Sequence, residues 1–315
     1  MTSSPPVNSV LRRAQTIGDR CCIPGTTLGL GNFFRLLAHK IAKDNVTVLA
    51  GNVAFRLMFA FFPALIAILW LFEVLHGHRL VGPLLDVVGV IIPDAANGPI
   101  KEQVQQAPAA QATGAFTPGV GLSLVVAIGA IAVAFRATMH ALNVIYAVED
   151  RRSQLRRMAL SVIVSFVTVA LFVVAVALIV SGSSITASLA GSSGLNVSAR
   201  LAWAATTWLV VLACIVSAFA LTYYYGPDVK QSFRWVSTGS FTAVGLWLLF
   251  TIGFSIYINN FATPNQTYGA LAGVAIFMLY LYSSSFILLL GAEMNQVIEN
   301  WDPEGKNDGD RRPSG

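Results

Sequence analysis

The sequence predicts an all-α, polytopic membrane protein with six transmembrane helices, and three observations carry that reading. Long apolar runs recur at 46–75, 119–141, 158–181, 201–223, 236–258 and 269–290. About 20 apolar residues wound as a helix rise about 30 Å, the thickness of the hydrocarbon core. The 315-residue chain is 55% hydrophobic and only 11% charged, with a mean hydropathy of +0.68. Soluble domains carry about 25% charged residues. The basic residues also segregate. With the N-terminus placed in the cytoplasm, fifteen of the 20 Lys and Arg fall in cytoplasmic segments, and only Arg79, Lys101 and Arg200 fall outside. The remaining two, Arg56 and Arg136, lie within spans. This asymmetry satisfies the positive-inside rule and places both termini in the cytoplasm. It also accounts for the basic pI, so no nucleic-acid partner is expected.

Taken in order, residues 1–31 are expected to be a disordered cytoplasmic N-terminus, with no apolar core of a signal peptide. A membrane domain follows over 32–300. It opens on an amphipathic helix at Asn32–Asn45, with Phe33, Phe34, Leu37 and Ile41 on one face and Arg35, His39, Lys40 and Lys43 mostly elsewhere. That pattern suits a helix lying on the anionic inner leaflet, or one packed on the protein's own cytoplasmic surface. The first span contains Pro63, which removes a helical hydrogen bond and predicts a bend serving as a hinge or for packing. After it, 76–118 holds an apolar stretch at Leu80–Ile92 too short to span, then Pro93, Pro99, Pro108 and Pro118. Short interfacial helices against the outer face are expected there. The Ser- and Gly-rich Gly182–Ala199 reads as a flexible exterior loop, and Asn259–Tyr268, with Pro264, as a turn region. Gly269 and Gly273 form a small-residue pair suited to close helix packing within the bundle. The polar tail at 301–315 is expected to be disordered.

The candidate site starts from Arg56 and Arg136. A charge within a span costs at least about 2.5 kcal/mol and is commonly retained for function, although a long side chain also snorkels to the interface. The functional reading is a cytoplasm-facing polar pocket that also includes Asn52, Asn143, Asp228 and Glu293. Two guanidinium forks there suit a carboxylate or a phosphate. Hydrolase, metalloprotease and nucleotide-binding signatures are absent: there is no GxSxG, HExxH or P-loop. His76 and His78 alone are too few to hold a metal, and three cysteines make no disulfide framework. No enzymatic activity, metal or cofactor is therefore expected, and any transport would not be driven by the chain's own ATP hydrolysis.

Several local patterns together resemble the YihY/BrkB family of membrane proteins. Asn45–Leu71 resembles its first-span signature, an Ala-Phe pair before an apolar stretch ending in Phe-Pro-x-Leu. Ala141-Leu142-Asn143 with Tyr146 and Arg151-Arg152 is similar to its Ala-Leu-Asn-x-x-Tyr element entering a basic loop. Tyr225-Gly226-Pro227-Asp228 with Arg234-Trp235 and then Gly239 resembles its proline-containing loop. Tyr268–Ala272 and Leu290–Asn295 are similar to its last-span motifs. The likeness covers about 32–300, with departures at Arg56, Gly226 and Asp228, while Asn143, Pro227 and Glu293 match the family pattern.

The resemblance implies a six-span protein of the bacterial inner membrane. The family's old ribonuclease BN label conflicts with a chain that lacks a catalytic metal site. Two functions fit the residues. One is a non-ATPase transporter or lipid translocator, whose partners are membrane lipids and an anionic small molecule or lipid headgroup. The other is a non-transporting scaffold or envelope-assembly factor, with 76–118 as its working surface. Polar groups embedded in several spans favour the first.

Overall fold

A computed structural model describes residues 30–74, 118–191, 197–229, 237–261 and 270–300. Seven helices occur among the described residues, with no strand: α1 (Leu30–Lys43), α2 (Val46–Val74), α3 (Pro118–Ile145), α4 (Gln154–Gly191), α5 (Val197–Tyr225), α6 (Thr238–Phe261) and α7 (Ala270–Asn300). The last six are each long and apolar enough to cross a bilayer. The expected terminal disorder, the interfacial segment after the first span, His76, His78 and Gly269 lie outside the described residues.

The helices outrun the apolar windows that announce them. The last span, expected to end near residue 290, stays helical to Asn300, and the second continues to Ile145. Hydropathy marks the part that lies in lipid, whereas the backbone ladder continues into the interface because propagation is far easier than nucleation. The loop expected at Gly182–Ala199 is corrected for the same reason. α4 stays helical to Gly191, and its 38 residues rise about 57 Å. The turn region expected from Asn259 likewise begins later, since α6 runs to Phe261. α2 passes through Pro63 without a break in its assignment.

Each span packs on the next in sequence, and α7 closes back onto α2, so the six form a ring. The main core draws on Val46, Ala50 and Val53 of α2 and on Ala141, Leu142 and Ile145 of α3. Phe219 and Tyr223 of α5, Val244 of α6, and Leu289 and Ala292 of α7 complete it. All of these lie toward the end that the charge pattern assigns to the cytoplasm. Large apolar side chains on the outer faces, such as Phe166, Trp208 and Leu249, remain exposed, as lipid-facing positions require.

Two glycines permit a close crossing of α6 and α7. A Cβ on Gly239 would collide with the Gly291 carbonyl and the Asn295 side chain, and one on Gly291 would collide with the Tyr223 hydroxyl and Ala243. The crossing is pinned by the Gly239 N–H donating to Asn295 Oδ1 (2.8 Å), and α5 is tied to α7 beside it by the Tyr223 hydroxyl donating to the Leu288 carbonyl (2.7 Å). Of the expected glycine pair, Gly273 is buried. A close approach between helices occurs at Gly239 and Gly291.

α1 packs on the protein itself. Phe33 and Leu37 are buried against Val297, with Leu290, Met294 and Ile298 of α7 around them. Phe34, Arg35 and Lys43 point away and are exposed. Asn45, at φ 50°, makes the sharp reversal into α2, a conformation that Asn tolerates better than most residues.

Candidate functional site

Among the described residues the six candidates divide into three groups with different hydrogen-bond partners, and two of those groups hold together the end that the charge pattern assigns to the cytoplasm.

The first group is a staple between the ends of α3 and α5. The last turn of α5 leaves carbonyls without helical donors. The Arg152 guanidinium fills this role, donating to the carbonyls of Tyr225 (3.0 Å), Gly226 (3.4 Å) and Pro227. Its Nε also donates to Asp228 Oδ1 (3.1 Å). Asp228 Oδ2 accepts from the Arg151 N–H (3.0 Å), and the Asp228 N–H donates to Asn143 Oδ1 (2.8 Å). A cation at a helix C-terminus is favoured by the dipole, and a forked one meets several carbonyls at once. Asn143 is held in place by its own helix end. Val148 N–H reaches the Asn143 carbonyl (2.9 Å) and Ala147 N–H reaches the Val144 carbonyl (3.0 Å), with Ala147 at φ 52°. This is a Schellman cap with Ala where glycine is usual. Pro227 and Gly226 are buried beneath the staple, and a side chain at Gly226 would strike Leu142.

The second group joins α1 to α7. Glu293 is fully buried and accepts a hydrogen bond from Lys40 Nζ at 3.0 Å through Oε2. The same ammonium lies 3.6 Å from Asp44 and 3.5 Å from the Ile145 carbonyl at the end of α3. Glu293 Oε1 and, one turn on, Gln296 Oε1 are buried and accept no hydrogen bond among the described residues.

The third group lies deeper. Arg56 is ten residues into α2, about 15 Å along its axis, and Arg136 is nine residues before the end of α3, about 14 Å. α2 and α3 are antiparallel neighbours, with Val46 and Ile145 in the same core at one end, so the two arginines occupy one layer of the membrane. Arg56 Nε donates to Asn52 Oδ1 (3.0 Å), and both residues are exposed. Arg136 is half-buried on a face shared with exposed Val125, Gly129 and His140, and no ion pair or hydrogen bond joins it to another described residue. No Asp or Glu occurs in 45–72, 103–148, 151–227 or 229–292. The layer therefore holds two permanent positive charges and no carboxylate from any span.

Sequence reasoning identified Arg56, Arg136, Asn143, Asp228 and Glu293 but placed them together. It missed Arg152 and Lys40 as their partners, having read Arg152 as part of a basic loop and Lys40 as part of the polar side of the amphipathic helix. Asn295 and Gly239 stood in the family motifs, yet nothing in either motif says that they touch.

The comparisons with known proteins agree with this architecture. A Bacillus subtilis protein named putative ribonuclease-like protein YfkH is 31% identical over 165 residues, 51% of this chain and 59% of that one. A UPF0761 membrane protein of Photobacterium profundum is 29% identical over 84% of this chain and 80% of its own. One from an Azoarcus species is 28% identical over 85% of this chain and 63% of its own. The chain thus spans less than two thirds of the Bacillus and Azoarcus proteins. No solved structure matches. The sequence profile of the family described as Virulence factor BrkB matches residues 37–314, and with six apolar helices in a ring the chain is a multi-pass membrane protein belonging to that family.

Proposed function

We propose that the protein is a non-ATPase transporter or lipid translocator that carries an anionic solute or headgroup past Arg56 and Arg136. The observation that carries this reading is the layer itself: two guanidinium groups at equal depth on packed helices, with no acidic residue at that depth in any span to neutralise them. A buried or lipid-exposed charge is costly, and a fixed structural role would normally supply a counter-ion from a neighbouring helix. An incoming anion supplies it here. Guanidinium forks match phosphate and carboxylate oxygens in pairs.

The staple and the Lys40–Glu293 pair then serve as fixed supports at one end of the passage. Asn143, Asp228 and Glu293 act by holding helices, while Arg56, Asn52 and Arg136 meet the substrate.

The test is flux of small anions and of fluorescent anionic phospholipid in proteoliposomes, comparing the wild type with Arg136→Ala at matched protein content. The expected result is flux that falls about tenfold with the substitution while the protein stays folded. Absence of flux from folded wild type, for solutes and lipids alike and with or without an ion gradient, would leave the scaffold role.

A further inference from the structure

Resting on that reading, we infer that the anion is the phosphate of an anionic glycerophospholipid, and that it reaches Arg56 sideways from the bilayer along the outer face of α2. The stripe bearing Arg56 and Asn52 also carries Val48, Phe55, Phe59 and Phe62, which are 69%, 54%, 63% and 44% exposed. These positions recur at spacings of three and four and so lie on one side of the helix. A water-filled path for a soluble ion would be lined by polar groups. This stripe is phenyl and valine around a single amide–guanidinium pair, and Phe55 and Phe59 pack edge-to-face with ring centroids 4.9 Å apart. An amphiphile fits both halves, with acyl chains on the phenyl rings and phosphate on the guanidinium.

The polar half is oriented for that role. Asn52 Oδ1 takes up the Arg56 Nε–H, leaving both terminal nitrogens of the guanidinium without a partner among the described residues. Those nitrogens form the edge that grips two phosphate oxygens at once. Arg136, at the same depth on the adjacent helix, adds a second positive charge without a carboxylate in competition.

A second copy of the chain is the other occupant an exposed apolar stripe invites. Two-fold pairing through this stripe would set Arg56 near Arg56 in a dry interface, and the stripe contains no acid to relieve the repulsion. Charge complementarity therefore selects the lipid.

The experiment uses the full chain in phosphatidylcholine vesicles with and without added phosphatidylglycerol. It follows three readouts: transbilayer movement of headgroup-labelled phosphatidylglycerol, movement of labelled phosphatidylcholine, and release of trapped inorganic phosphate. Native mass spectrometry of the purified protein reads the lipid that stays bound. The expected result is that phosphatidylglycerol moves and is retained in preference to phosphatidylcholine, that trapped phosphate stays inside, and that Arg56→Gln lowers both lipid signals about tenfold. Asn52→Ala, which keeps the charge but frees the guanidinium, and Arg56→Lys, which keeps the charge but loses the fork, should each give a smaller loss. They also supply the test should Arg56→Gln fail to fold. Release of inorganic phosphate that depends on Arg56, with lipid unmoved, would overturn the lipid assignment and leave anion transport standing. Equal movement and retention of both lipids in wild type and variants would also overturn it. Movement of neither lipid nor phosphate by folded protein would sink the transport reading as well.

Discussion

Lys40→Met tests how the amphipathic helix is tied to the bundle, and the geometry sets its size. Glu293 has no exposed surface, and Lys40 is the described cation paired with it, at 3.0 Å. Removing one member of a buried pair costs about 3–5 kcal/mol, because the other is left unpaired and must either stay charged in the interior or take up a proton to fold. The Lys40 side chain is 20% exposed, so part of its attraction is already screened and the lower end, about 3 kcal/mol, applies. That is roughly a 150-fold change in the folded-to-unfolded ratio. Glu293→Gln should cost far less, about 1 kcal/mol, since a neutral amide needs no counter-ion and Lys40 keeps Asp44 at 3.6 Å and contact with water. The double variant should resemble Glu293→Gln alone, giving a coupling of about 3 kcal/mol. Unfolding in graded dodecyl sulfate, followed by tryptophan fluorescence, gives the three values. Equal losses for the two single variants would refute the asymmetry of the pair, and additive losses in the double would mean that the pair contributes nothing and that apolar contacts such as those of Phe33 and Leu37 hold α1.

Three further outcomes follow from the same geometry. Gly239→Ala should destabilise the α6–α7 crossing by at least about 1–3 kcal/mol, because the added methyl meets a backbone carbonyl that cannot move aside; Gly245→Ala, with open space around its Cβ, should be neutral or slightly stabilising, and the dodecyl sulfate midpoints of the pair check this. Ala147→Gly should stabilise by up to about 1 kcal/mol, since the residue sits at φ 52° in a cap that glycine adopts without strain, partly offset by the freedom glycine gains when unfolded; the same unfolding midpoints read it. Arg56→Leu should raise stability while abolishing anion or lipid movement, because the side chain's one hydrogen bond among the described residues, to Asn52, lies on an exposed face and leucine is preferred by about 3 kcal/mol at the centre of a span; flux and unfolding midpoint measured on one preparation would show the opposed changes.

The fold was legible because membrane spans are announced by length and apolarity alone, and the site was less so because its contacts are remote in sequence. Residues 119–141 read as a span despite Arg136, and α1 read as amphipathic before its partner was known. What the sequence left open for α1, lipid surface or protein surface, turned on Val297 and Glu293, the latter 253 residues from Lys40. Asn143 and Asp228 were each recognisable, yet their hydrogen bond joins positions 85 apart. Hydropathy also gives a residue's depth better than its bearing around the ring. Arg56 and Arg136 could be placed at similar depth by counting from helix ends, whereas grouping them with Asn143, Asp228 and Glu293 required a direction that no periodicity supplied. Arg152 shows a different blind spot: a cytoplasmic arginine satisfies the positive-inside rule whether it caps a helix or merely faces water.

The distribution of cost in the molecule argues for where its function lies. At the end that the charge pattern assigns to the cytoplasm, several charged and amide side chains find partners: Arg152 with Asp228 and three carbonyls, Asn143 with the Asp228 amide, Lys40 with Glu293. Such groups recover much of their desolvation penalty within the fold, and a structural role is sufficient to explain them. About 15 Å deeper, two arginines recover almost nothing from the fold: one has a single neutral amide, and the other has no described partner. A chain selected only to hold its helices together would replace both with leucine and gain stability. On the transport reading proposed above, a layer without carboxylates from the spans takes its compensating negative charge from an incoming anion. On the same reading the tightly stapled end has a mechanical meaning: it ties the end of α3 to α5 and α1 to α7, which steadies the bundle that carries both guanidinium groups while an anion passes between lipid and protein.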